Sequence, residues 1–255
     1  MYRYRLSQTQ PRTANGRRLQ NLMLAYHDFR YEHHNHGLPD EVKALGAWQA
    51  ERLRRTHRDL YESPGHGRAL DFLLDDLYAP WQFTRRDDDV DRIFPHLTRW
   101  SPDSALFTLS QLVELNLLSQ KFDLAMAQWL VTNLNLDAAG IRALDREDYA
   151  RAYRGCGHEQ QRRRQIELVA AVGRDLEQYV ENRSLRMALK MMHRPARMAG
   201  LGELYQCIHE GVHRFRAIDG VEAILDRVTE RETRIMEQIL AGEPMVQLRA
   251  TISSR

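Results

Sequence analysis

Apolar side chains recur once per helical turn along most of this 255-residue chain, and no stretch shows the strict alternation of a half-buried strand. The longest run opens at Ser101-Pro102-Asp103, where a serine cap and a first-turn proline predict a helix start, and continues to Asn133. Its stripe is Ala105, Leu106, Leu109, Leu112, Val113 and Leu117. It shifts to Leu118, Phe122, Ala125, Met126, Trp129 and Leu130, which predicts a bend near Ser119. A helix this long and apolar on one face is expected at the centre of a bundle.

The same periodicity predicts helices on either side. Leu19, Leu22, Met23, Tyr26 and Phe29 form one stripe, and Val42, Leu45, Trp48, Leu53 and Leu60 form the next, after Pro39-Asp40. Beyond the linker of Asn133 to Gly140 and the break at Gly155-Cys156-Gly157-His158, a helix with Ile166, Val169, Gly173, Leu176 and Val180 inward is expected. Leu185, Ala188, Leu189 and Met192 continue the pattern, followed by the stripe of Leu201, Leu204, Ile208, Val212 and Phe215. Asp219-Gly220 turns the chain into a last helix lined by Val221, Ile224, Leu225, Val228, Ile235 and Ile239, which stops near Gly242-Glu243-Pro244. The expected fold is therefore all-α: a single-domain multi-helix bundle of about eight to ten helices with no substantial sheet. Residues 1–14 read as a flexible N-terminal arm, 15–242 as the helical domain (with 15–136 and 141–242 as its two possible halves) and 243–255 as a polar tail.

Composition narrows the function classes. Hydrophobic residues make up 43% and charged residues 28%, as in soluble globular proteins. The 37 basic residues nearly balance 35 acidic ones, for a formal charge of +2, so nucleic acid is not an expected partner. Lys43, Lys121 and Lys190 are the only lysines, which leaves arginine, suited to planar pairing with carboxylates, as the main cation. Two cysteines, Cys156 and Cys207, are too few for a disulfide scaffold and are expected as free thiols. With no signal-like N-terminus and no apolar run of about 20 residues, a cytoplasmic location is expected, with no membrane partner.

Between the second stripe and the long helix lies an acidic corner. Leu70, Leu73, Leu74, Leu77 and Tyr78 share one helical face, while Asp71, Asp75 and Asp76 fall on the other. Pro80 ends that helix, and Thr84-Arg85-Arg86-Asp87 reads as a capping box for a next one that buries Val90, Ile93, Phe94 and Leu97. Asp75, Asp76, Tyr78, Arg85, Arg86 and Asp87 thus form a candidate structural corner or interaction surface, with ion pairs clasping the turn. The run Phe72-Leu-Leu-Asp-Asp-Leu-Tyr78, followed by Pro80 through Pro95, resembles the bacterial FFLEELY-motif family. Trp48-Gln49, Arg52-Leu53, Gln165-Ile166, Pro195-Ala196, Ala199-Gly200-Leu201 and Arg231-Glu232 extend the likeness over about residues 15 to 245. The resemblance implies a soluble helical protein and carries over no catalytic residue.

One motif looks catalytic. His209-Glu210-Gly211-Val212-His213 matches the zinc-protease pattern in which two histidines one turn apart hold zinc and the glutamate acts as general base. Glu230 or Glu232, on the following helix, offers a third ligand. On a helical wheel, however, the histidines flank the apolar stripe and Glu210 points to the polar side, where a dry site is hard to build. Boundary histidines with ordinary hydrogen bonds are the preferred reading. Glu232 also sits inside the stripe of Leu225, Val228, Ile235 and Ile239. Buried there, it needs a partner: an arginine, Arg227 or one from another helix, would make a structural ion pair, and His213 would make a functional site.

Weaker signals have plain readings. His33, His34 and His36 diverge at a fraying helix end, Cys156 and His158 lack a second metal-binding pair, and His27, His57 and His193 are unspecific as haem ligands. Arg162, Arg163 and Arg164, amid glutamates and glutamines, read as a solvated charged face rather than a phosphate site. The sequence thus favours a non-enzymatic module that binds a protein partner and needs no cofactor. Its alternative is a zinc-dependent hydrolase using His209, His213, Glu232 and Glu210.

Overall fold

The computed structural model describes residues 3–33, 38–62, 94–99, 101–183 and 220–245, together with positions 187, 191, 209 and 213. Among these residues the chain is all-α, with no strand. The helices are α1 (Arg3–Gln8), α2 (Ala14–His33), α3 (Pro39–Thr56), α4 (Arg58–Tyr61), α5 (Asp103–Leu134), α6 (Ala138–Arg142), α7 (Arg146–Cys156), α8 (Glu159–Glu181) and α9 (Val221–Leu240). Residues 94–99 are also helical. None of the described helices is long and apolar enough to cross a membrane.

α5 is the axis of the bundle. It packs against α2, α3, α7 and α8, while α9 lies along α8 and touches α7. Buried side chains gather in three groups, each removing apolar area from water, and α5 contributes to two of them. The largest joins Leu45 of α3, Met126 and Leu130 of α5, Ile141 of α6, Tyr149 and Tyr153 of α7 and Ile239 of α9. A second joins Leu60 of α4 and Val180 of α8 to Val221, Ile224 and Leu225 of α9. The third holds Leu6, Leu19, Phe94 and Leu106.

Two local readings of the sequence are corrected. The N-terminal stretch expected as a loose arm contains α1. Leu6 is buried there, and Gln20 anchors the segment by donating from Nε2 to the carbonyls of Leu6 and Thr9, both at 2.6 Å. One apolar residue in a polar segment is a weak periodic signal, yet it suffices when a neighbouring helix supplies the pocket. At α5, Pro102 stands at the N-cap position, and no side chain caps the helix. Asn15 of α2 donates instead to the Asp103 carboxylate at 2.7 Å and ties the start of α5 to its neighbour.

The breaks arise from local chemistry. Asp137 caps α6 by accepting from the Gly140 amide, and Asp145 caps α7 by accepting from the Asp148 amide, both at 2.8 Å. Gly157, with φ 67° and ψ −142°, takes a conformation open to glycine and ends α7. His57 leaves helical geometry at φ −108° and ψ 24°, separating α3 from α4. Its ring is buried in the bundle, and this places it at the site below.

Candidate functional site

The bundle holds a partly open chamber of about 100 Å³ bounded by α3, α5, α7, α8 and α9. Gln49, Arg52 and His57 reach it from α3 and its end, Phe122 and Asp123 from α5, and Tyr149 and Tyr153 from α7. Arg162 and Gln165 enter from α8, and Thr229 and Glu232 from α9. Spacings of three or four residues within α3, α7, α8 and α9 put their groups on one face, while α5 presents the adjacent Phe122 and Asp123.

Glu232 is the most strongly held of them. Arg52 grips it through both forks, Nη1 to Oε1 at 3.0 Å and Nη2 to Oε2 at 2.7 Å. His57 Nε2 lies 3.0 Å from Oε1, and a carboxylate acceptor there requires the proton on that nitrogen. Burial raises the pKa of Glu232, but the Arg52 charge and the hydrogen bonds from His57 and Arg52 outweigh it and hold the pKa at about 2. This is the expected ion pair of a buried glutamate, with the arginine supplied by another helix.

Asp123 is in the opposite state. Burial pushes its carboxyl up to about 6, against the Gln49 amide, which donates to Oδ1 at 3.1 Å, and the charge of Arg162. Arg162 is only 3% exposed and lies over two rings, its Cζ 3.6 Å from the Tyr153 centroid and 4.5 Å from that of Phe122. Its Nε donates to the Gly157 carbonyl at 3.3 Å. Burial also raises the Tyr153 hydroxyl to about 12. Tyr149 stacks on Trp48 with centroids 4.4 Å apart, and Trp48 Nε1 donates to the Leu144 carbonyl at 2.6 Å.

An open groove of about 720 Å³ runs outside this chamber between α3–α4 and α6–α7, and Arg52 and Ile235 line both. Three of its acids are engaged. Glu51 pairs with Arg55 at 2.8 Å, Asp59 accepts both forks of Arg231 at 2.5 and 2.6 Å, and Asp145 caps α7. The Arg231 bond pulls the Asp59 pKa down, against burial. Arg58, Arg142 and Arg146 are exposed in the groove, and none forms a side-chain hydrogen bond or ion pair among the described residues.

Among the described residues no group of His, Cys, Asp and Glu able to hold a metal is found. His209 and His213 are helical and exposed, and Glu210 lies outside the described residues. His209, His213 and Glu232 do not come together in a group able to hold a metal, because Arg52 and His57 take both oxygens of Glu232. Glu230 pairs with Arg234 on the exposed side of α9. The corner residues Asp75, Asp76, Tyr78, Arg85, Arg86 and Asp87 lie outside the described residues, as do Cys207, His34, His36, His193 and the side chain of His33. Cys156 is a half-buried free thiol whose pKa burial raises.

The arginine run is corrected at one position. Arg163 reaches Glu237 at 3.2 Å and Arg164 reaches Glu114 at 3.0 Å on the outer face, as a solvated charged run should, but Arg162 is interior. Its position four residues before Ile166 places it in the same inward stripe, and that spacing was the available signal. Asp123 and Gln49 gave no comparable sign.

Asp123→Asn is expected to stabilise the protein by about 1–2 kcal/mol at pH 7. The folded pKa of Asp123 lies above its ordinary 3.8, so its contribution to stability is full below about pH 4 and is lost as pH rises through about 6. Urea unfolding at pH 7.5 and pH 5 checks the sign: the gain should be larger at pH 7.5, and an equal gain at both would contradict it.

The fold and this site define an all-helical bundle with a charged interior chamber. Over residues 28–246 the chain matches the model of a domain of unknown function, DUF8198, and it belongs to that family. No curated protein and no solved structure matches it.

Proposed function

We propose that the protein is a non-enzymatic binding module that takes up an acidic, amphipathic segment of a partner protein in the groove between α3–α4 and α6–α7. The observation that carries this reading is the set of Arg58, Arg142 and Arg146, three exposed guanidinium groups along one groove whose acids Glu51, Asp59 and Asp145 are already engaged. Glu62 is the remaining acid on its wall. Ala47, Trp48, Leu144, Ile235 and Met245 add apolar lining for the non-polar face of such a segment. Charge of one sign along a groove steers an oppositely charged partner and sets its orientation.

Titration with a synthetic Glu- and Leu-rich peptide, followed by tryptophan fluorescence, tests the reading. Binding should weaken steeply with salt and fall at least tenfold in the Arg58→Glu/Arg142→Glu/Arg146→Glu variant. Equal binding of a Lys-rich peptide, or unchanged affinity in the triple variant, would overturn it.

A further inference from the structure

The interior chamber is a separate feature and does not depend on what occupies the groove. At about 100 Å³ it exceeds the space one water needs and approaches that of small organic solutes. Three polar atoms facing it lack a partner: Arg162 Nη2 from α8, His57 Nδ1 from the end of α3 and Thr229 Oγ1 from α9. Arg162 and His57 are 3% and 1% exposed. Buried polar groups are nearly always paired, so three unpaired ones from different helices around one space point to an occupant.

The chemistry of the walls says what kind. Glu232 already accepts from Arg52 and His57, which leaves Arg162 as the interior cation without a bonded anion. Arg162 Cζ sits over the Tyr153 and Phe122 rings and its Nε donates to the Gly157 carbonyl, so the guanidinium is held in place with Nη2 left as a preorganised donor to an anion's oxygen. Thr229 can add a hydroxyl donor, and His57 Nδ1, on a ring whose Nε2 donates to Glu232, can accept from an O–H of the ligand or of a water beside it. We propose that the chamber binds a small oxyanion, a short carboxylate or inorganic phosphate, between Arg162 and Thr229.

Asp123 tunes this site. It accepts from Gln49 and feels the charge of Arg162, and the other charged and titratable groups lining the same chamber are Arg52 and His57, Tyr149 and Tyr153 of α7, and Glu232 of α9. Charged, it competes with a ligand anion for Arg162; protonated, it can donate a hydrogen bond to that anion. The anion should therefore bind more tightly as pH falls from 7.5 to 5.5. The Asp123→Asn variant should bind it more tightly than the parent at pH 7.5 and show a flatter dependence.

The test uses the purified full-length protein, dialysed free of small anions, and titrates sodium acetate and sodium phosphate separately against sodium chloride at matched ionic strength. Thermal unfolding, with ¹³C-acetate and ³¹P spectra as direct readouts, should show one of the two raising the melting temperature by roughly 5–10 °C at a hundredfold excess over Kd. Arg162→Lys should abolish the shift, and Thr229→Val should weaken binding roughly fivefold. The Arg58→Glu/Arg142→Glu/Arg146→Glu variant should leave it intact, which separates the chamber from the groove. Should Arg162→Lys fail to fold, Thr229→Val and the pH dependence decide. No shift from either anion, or the same shift in parent and Thr229→Val, would overturn the proposal and leave the chamber to water.

Discussion

Glu232→Ala is expected to lower the stability of this protein by about 3–5 kcal/mol, because it breaks a buried pair from one side only. Arg52 would keep its charge in a bundle where its side chain is 12% exposed, with the bidentate acceptor gone, and His57 Nε2 would lose its acceptor as well. Losing one member of such a cluster strands the others, a larger penalty than the net worth of the pair. Two comparisons separate this from a packing defect. Glu232→Gln keeps the shape and one carbonyl acceptor but not the charge, and should fall between parent and alanine. Arg52→Met/Glu232→Leu, which removes both charges and refills the space, should recover much of the loss. Urea unfolding reads all three, and a loss below about 1 kcal/mol for Glu232→Ala would mean that the pair does not brace the bundle.

The same pair sets the acid side of the stability profile. The folded pKa of Glu232, about 2, lies below its ordinary 4.5, so its contribution is present above about pH 4.5 and is lost as pH falls through 2. Asp123 acts in the opposite sense over a different range, losing its contribution between about pH 4 and 6. Two carboxylates on one chamber therefore have opposed pH dependences because one has a bidentate arginine and the other has an amide and a nearby charge.

How much of this was legible in the sequence depends on the kind of signal. Helical periodicity located α2, α3, α5, α8 and α9 because each buries a stripe of several apolar residues, and such stripes sum over many turns. It missed α1, where Leu6 alone makes the contact, and α6 and α7, which lie where the sequence offered only the linker of Asn133 to Gly140 and the stretch up to the break at Gly155. Glu232 was visible as a carboxylate inside an apolar stripe, and its need for an arginine followed from the cost of burying charge. Which arginine it would find was not visible, since Arg52 is 180 residues away along the chain. Arg162 was hidden for another reason: it belongs to a run of three arginines, and composition suggested solvent while register placed it inside. The motif at His209 and His213 was the strongest local match, yet its third ligand was committed elsewhere. Local patterns specify helices well, but a polar site built from five helices depends on crossings that no single stretch encodes.

Those crossings are themselves testable at Gly173. There α8 meets α9 so closely that a Cβ would lie 2.8 Å from Leu225 Cδ2 and closer still to Cδ1. Leu225 is fully buried beside Ile224 and Val180, so its methyls have nowhere to rotate without displacing the second core group. Gly173→Val is therefore expected to cost about 3 kcal/mol by overpacking, even though glycine is a poor helix former and its loss should help α8. Gly46 supplies the contrast within the same molecule, because it is also helical and a Cβ there meets nothing within 4 Å. Gly46→Ala should stabilise the protein by up to about 1 kcal/mol. If the overlap is the cause, Leu225→Ala should recover stability in the Gly173→Val background while costing it in the parent, and a double-mutant cycle would read this as a coupling of 1 kcal/mol or more in order of magnitude. Additive effects of the two substitutions would instead mean that the helices simply shift apart, and that the close crossing of α8 and α9 is not what fixes the positions of Arg162 and Glu232 around the chamber.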